Sequence, residues 1–344
     1  MGKILEIVRA KDWWEYKFPP MLAIAYLILQ NSQFTFLHLL PLILVLMSAI
    51  TLGAIYVSFL NDATDVAEDA RAGKKNRMAA YSTVQQTILV LLPLVAGIGI
   101  ISEFLNFFSF ASLLYSTAYI AFTLYSLPPL RLKERGTAGI VSDALGSQVF
   151  PTLFIAVCMY QYTNQEIRIL PFIFLGVWLL CFGLRGILWH QLADKENDKA
   201  SGLLTVVQNM SEAQLVRLGI VIVTLETIAF TGYIMFNHLY LIFPGLIFYF
   251  IYIWMQFKND HIVQILIDPK AKQYRIFLFE YYQVFLPISV LIAYVFKNPI
   301  NITGLLFHCF LFHSNILRIC KDIKKQLEMT ITSIRFQAKN NKAN

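Results

Sequence analysis

The sequence predicts an all-α membrane protein, a bundle of nine transmembrane helices. Three observations lead there. The chain is 57% hydrophobic and 14% charged over 344 residues, whereas soluble domains hold about 45–50% apolar and about 25% charged residues. Its apolar residues gather in stretches close to the ~20 residues that a helix needs to cross a bilayer. Its basic residues fall between those stretches, almost all of them on one side.

The nine spans are expected at about 18–31, 37–60, 80–101, 105–127, 143–162, 168–192, 212–235, 239–257 and 274–296. Pro128-Pro129 stops the fourth span, because proline removes a donor and clashes with the preceding turn. Ser211-x-x-Gln214 reads as a capping box that opens the seventh. A half-apolar stretch, 299–319, carries His308, His313 and Asn315; it is either a tenth span or an interfacial helix. No hydrophilic block is long enough to fold alone. The expected organisation is a cytoplasmic or interfacial segment over 1–17, one membrane domain over 18–296, and a C-terminal membrane-associated helix with a basic tail over 297–344.

Charge sets the orientation, since Lys and Arg collect on the cytoplasmic side. With the N-terminus inside, 25 of the 28 basic residues lie in cytoplasmic segments. Arg168 and Lys297 fall outside, and Arg185 lies within a span. The net charge of +7 is therefore topological, and nucleic-acid binding has little left to explain. Cys158, Cys181, Cys309 and Cys320 lie in or beside apolar stretches without a CxxC pair, so buried reduced thiols are expected. The N-terminal segment mixes charged and aromatic residues and shows no apolar core of a cleaved signal peptide. A bacterial inner membrane is the expected location. The basic stretch after Arg318 reads as a membrane-surface helix.

Two acidic clusters superimpose. One runs Asn61-Asp62-x-x-Asp65-x-x-x-Asp69-x-x-x-Gly73, the other His190-Gln191-x-x-Asp194-x-x-x-Asp198-x-x-x-Gly202, with every position offset by 129 residues. Each follows an apolar span on the cytoplasmic side, so the halves form a pseudo-repeat, an arrangement that often places a site at the repeat interface. Asp residues at i, i+4 share a helix face. Two such faces make an oxygen-rich cage suited to Mg²⁺ and a polyphosphate. Arg71, Lys74, Lys75 and Arg77 follow the first cluster; they either neutralise phosphate or form a solvated loop obeying the charge rule. By register, His190 and Gln191 match Asn61 and Asp62. His190 then meets substrate as a donor or proton acceptor, or it is a satisfied interhelical histidine. Arg185 either serves the site or pairs with a structural partner.

The third motif is Tyr125-Ser126-Leu-Pro128-Pro129-Leu-Arg131-Leu-Lys133-Glu-Arg135-Gly136. In order and at span ends, the three motifs over about residues 20–295 resemble the UbiA superfamily of intramembrane prenyltransferases. Asp143-Ala144-x-Gly146 resembles that family's entry into its fifth helix. The resemblance implies a nine-helix bundle around a central cavity open sideways to lipid. It implies Mg²⁺-dependent transfer of an isoprenyl group from an allylic diphosphate to an acceptor, releasing diphosphate; an aromatic ring or another small amphiphile of lipid or quinone synthesis is the expected acceptor. Carried over by position, Asn61, Asp62, Asp65 and Asp69 hold one metal, and Asp194 and Asp198 a second. Arg77, Arg131 and Lys133 bind diphosphate, with Tyr125 near the reacting carbon. Arg77 is followed by Met78 where the family has proline, which leaves that loop's geometry open. Two alternatives stand beside transfer: a terpene cyclase of the same fold, and a lipid transporter or binding protein, which the one-sided polar residues argue against.

Overall fold

A computed structural model describes residues 8–104, 109–201, 205–258, 263–265 and 275–340. Helices α1 (Ala10–Gln30), α2 (Phe36–Thr64), α3 (Val66–Arg71), α4 (Thr83–Phe104) and α5 (Phe110–Ser126) form the first part. Next come α6 (Thr137–Tyr162), α7 (Ile169–Ala193), α8 (Lys195–Ser201), α9 (Val206–Asn209), α10 (Glu212–Phe236) and α11 (Phe243–Lys258). The chain ends with α12 (Tyr281–Lys297), α13 (Ile302–Leu311) and α14 (His313–Asn340). Two two-residue strands, Val263–Gln264 and Arg275–Ile276, pair in parallel between α11 and α12.

The protein is an all-α, multi-pass membrane protein. Among the described residues, six helices, α2, α4, α6, α7, α10 and α11 with its lead-in turn, are long and apolar enough to cross a bilayer, and seven if α13 and α14 count as one bent span. Helices α1, α5 and α12 lie at three more of the expected positions but are not among those helices. Helices α5 and α12 have 17 residues each, about 25 Å at 1.5 Å per residue. The large apolar residues exposed on α4 are Val84, Ile88, Leu91, Leu92, Val95 and Ile98. At 100° per residue they share one face, an apolar stripe that water would reject and lipid accepts.

Helix α1 is the centre of the bundle. Every residue from Phe18 through Gln30 is buried, as in a helix covered on all sides. It packs on α6 and α12, and Lys297 donates to the carbonyls of Gln30 (2.9 Å) and Ser32 (2.8 Å) at its C-terminal end, where the helix dipole favours a cation. Ser211 and Gln214 form the expected capping box of α10. Helices α6 and α7 approach so closely that a Cβ on Gly183 would lie 2.9 Å from the Cα of Ala144. Gly183→Val is therefore expected to force the pair apart and cost about 1–3 kcal/mol; a thermal transition in detergent equal to that of the parent protein would refute this.

The stretch 299–319 is not one straight helix. Helices α13 and α14 meet at 84°. The break is stapled to α1: Trp14 donates to the Leu311 carbonyl (3.0 Å), and the Glu15 carboxylate accepts from the backbone amides of Ser314 (3.1 Å) and Asn315 (2.6 Å). A carboxylate at a helix N-terminus satisfies orphan donors and complements the dipole. All four cysteines are free; Cys158 and Cys181 are buried as expected, while Cys309 is half-buried and Cys320 exposed.

Candidate active site

The two acidic clusters are built alike. Helix α2 ends at Thr64, Asp65 breaks the helix (φ −105°, ψ 6°), and α3 restarts at Val66. Helix α7 ends at Ala193, Asp194 breaks it (φ −95°, ψ 4°), and α8 restarts at Lys195. The amides match as well: Asp65 N to Asn61 O and Asp194 N to His190 O are both 3.0 Å, while Asp69 N to Asp65 O is 2.8 Å and Asp198 N to Asp194 O is 2.9 Å. The 129-residue offset is thus an offset of backbone geometry. It also corrects the single-face picture, because each acidic run bends at its middle Asp. Helices α3 and α8 touch, so the two clusters face each other. Both sit at helix C-termini, where the dipole is negative and attracts cations.

In the first cluster, carboxylates and cations are in contact. Asp62, 6% exposed, pairs with Arg9 (3.2 Å) and Arg77 (3.6 Å). Asp65 contacts the ammonium of Lys133 and lies 3.2 Å from Arg131, which also reaches Glu68 at 2.5 Å. Asp69 accepts from Asn76 (2.7 Å), whose amide also holds the Asp62 carbonyl (2.8 Å). Ser126 donates to Asn61. The loop carrying Lys133 is clamped by the start of α6: a Cβ on Gly139 would meet the Leu132 carbonyl at 2.6 Å.

In the second cluster, Gln191 is buried like its counterpart Asp62, at 7% exposure. The His190 side chain is 69% exposed and lies 3.8 Å from Asp194. Burial, then the neighbouring Asp194, push the Asp198 carboxyl above its usual range, while Lys74 and His190 draw it down. Tyr125 lies within electrostatic reach of Asp143, Asp65 and Asp198 together. Among the described residues, no three His, Cys, Asp or Glu side chains converge closely enough to hold a metal ion. Arg185 is elsewhere: it pairs with Glu226 at 2.6 Å and donates to the Phe277 carbonyl at 2.6 Å.

A cavity of about 240 Å³ opens beside the first cluster. Asn61, Arg9, Lys17, Asp143 and Ser147 supply its polar lining, and Met21, Ile50, Val57, Tyr119, Phe122 and Pro151 are among its apolar wall. The tyrosine wall is rigid: Tyr115 and Tyr119 hydroxyls bond at 2.7 Å, and Tyr115 donates to the Ala49 carbonyl at 2.9 Å. Arg9, Trp13 and Lys17 were not expected here, since they precede the first apolar span. Their signal is faint: Arg9, Lys11 and Lys17 flank Trp13-Trp14 just ahead of Phe18, and all but the N-cap Arg9 prove to lie on one helix with the span.

A UbiA homolog from Archaeoglobus fulgidus bound to GPP and Mg²⁺ is similar at 15% identity with a TM-score of 0.54, covering 85% of this chain and 98% of that one. The same homolog bound to DMAPP and Mg²⁺ gives 15% identity, a TM-score of 0.53, and 85% and 97% coverage. A structure from work on digeranylgeranylglyceryl phosphate synthase in membranes gives 18% identity, a TM-score of 0.53, and 86% and 98% coverage. At such identities the likeness is one of fold. No curated protein matches the sequence. The model of the UbiA prenyltransferase family matches residues 18–266. With that match across most of the chain, the protein belongs to the UbiA prenyltransferase family.

Proposed function

We propose that the protein transfers an isoprenyl group from an allylic isoprenoid diphosphate to a small acceptor inside the membrane, releasing diphosphate. The observation that carries this reading is the pair of matched Asp helix breaks facing each other beside an apolar cavity. Family membership supports it. We read residues 18–296 as the nine-span catalytic body, with 1–17 and 297–344 as its flanking segments. The acidic ends and the N-terminus then face the cytoplasm of a bacterial inner membrane.

The donor set is all hard oxygen, which fits Mg²⁺. Asn61, Asp62, Asp65 and Asp69 would hold one ion, and Asp194 and Asp198 a second. When bound, such ions supply Lewis-acid stabilisation of charge on a departing diphosphate. The chain's own cations complement this: Arg77, Arg131 and Lys133 contact the carboxylates, and with a metal held there they would neutralise the charge of a diphosphate. Fixed positive groups aimed at the leaving oxygens lower the barrier because they need no reorganisation. His190 and Gln191 flank the substrate from the second half. The cavity takes the isoprenoid chain and keeps water from the allylic cation, and Tyr125 offers an aromatic face worth about 0.5–2 kcal/mol to it.

The test is diphosphate release by purified protein from C10, C15 and C20 allylic diphosphates, with and without Mg²⁺ and an aromatic acceptor panel. Release that needs both Mg²⁺ and an acceptor is the expected result. Release without any acceptor would replace transfer by cyclisation, and lipid movement without release would make the protein a carrier.

A further inference from the structure

Besides Arg9, which pairs with Asp62, the largely apolar cavity carries two opposite charges that are not in contact. Lys17 comes from α1, and Asp143 and Ser147 come from α6, one turn apart. The Lys17 ammonium donates to Ser147 Oγ at 3.4 Å, and Ser147 Oγ donates to Asp143 Oδ2 at 3.5 Å. Both contacts are long, and among the described residues Lys17 and Asp143 form no direct ion pair. A charge taken into a low-dielectric wall is costly unless it is paired and hydrogen-bonded. The Ser147 hydroxyl bridges the two only through these long contacts, so a guest that bonds both more closely is favoured. Ser147 lies within the widened turn Leu145–Val149, a distortion frequent at functional sites.

The chemistry of the gap selects its guest. An ammonium only donates hydrogen bonds, and a carboxylate only accepts them. The smallest group that satisfies both at once is a hydroxyl, with a lone pair toward Lys17 and its proton toward Asp143. The gap also adjoins the proposed reaction centre: Asn61 lines the same cavity, and Tyr125 feels Asp143 as well as Asp65 and Asp198.

We infer that Lys17, Ser147 and Asp143 form the acceptor subsite, which holds a hydroxyl-bearing acceptor and takes its proton. The inference rests on the transfer reading. In the step, the allylic C–O bond breaks and its electron pair leaves on diphosphate. A bond forms between the allylic carbon and the acceptor's nucleophilic atom. The proton released by the acceptor passes to the Asp143 carboxylate and is returned to water when product leaves.

The experiment uses the full chain in detergent, with hydroquinone as the hydroxyl probe and 1,4-dimethoxybenzene as its counterpart without O–H. Binding is read by tryptophan fluorescence, since Trp13 lines the cavity. Wild-type protein should bind hydroquinone at least ~10-fold more tightly than the ether, because unpaired polar groups reject the analogue. Lys17→Met and Asp143→Asn should each erase that preference. Asp143→Asn should also lower acceptor-dependent diphosphate release by about 10²-fold or more, with the KM for the allylic diphosphate within about twofold of wild type. Ser147→Ala, a milder change, should weaken the preference partially and covers the case in which a charge variant does not fold. Equal binding of probe and ether by wild type, or a preference unchanged in the variants, overturns the subsite. If the preference behaves as expected but wild type releases no diphosphate under any condition, the transfer reading falls and the hydroxyl site stands.

Discussion

Asp198→Asn is expected to lower Mg²⁺-dependent diphosphate release by about 10²–10³-fold or more while the protein stays folded and membrane-inserted. Asp198 is half-buried on α8, outside the bundle's core, so an isosteric amide there should barely move the thermal transition. What changes is the charge facing α3 across the site. On the proposed reading, the amide would offer a divalent ion a weaker ligand, and the leaving diphosphate would lose part of its stabilisation. Asp65→Asn should be at least as severe, and should also destabilise, because Lys133 is buried and both it and Arg131 lean on that carboxylate. Turnover by Asp198→Asn within a few-fold of wild type would remove the second cluster from the mechanism.

The helices were legible because bilayer spans are long and apolar, and the signal needs no partner to be read. The acidic pseudo-repeat was legible because carboxylates are scarce and identical spacing at span ends is hard to produce otherwise. The bend at Asp65 and Asp194 was not legible: Asp is a permissible helix residue, and the contact of α3 with α8 that accompanies the break is a tertiary one. The role of the first residues was hidden for a similar reason. Hydropathy separates Lys17 from the apolar run at Phe18, yet the backbone does not, and one helix carries both. The angle between α13 and α14 depends on Glu15, some 300 residues away, a contact that no local pattern encodes.

Glu226→Leu is expected to destabilise the protein by about 3–5 kcal/mol, the cost of leaving a buried charge without its partner. Glu226 and Arg185 are each only 1% exposed at their side chains and lie 2.6 Å apart. The guanidinium also donates to the Phe277 carbonyl and sits 4.8 Å from the Phe279 ring centroid. It therefore ties α7 to α10 and to the segment leading into α12. Removing one partner strands the other in a medium that cannot solvate it. Removing both should be far milder: Arg185→Met with Glu226→Leu replaces the pair by apolar groups of similar reach, a change that is often neutral. The coupling between the two sites, read from thermal unfolding in detergent for the single and double variants, should be correspondingly large. The double variant also decides what Arg185 is for. Its contacts are with α10 and the Phe277 carbonyl rather than with the acidic helix breaks, so diphosphate release per folded molecule should stay near wild type. A double variant that folds normally but cannot turn over would return Arg185 to the catalytic site.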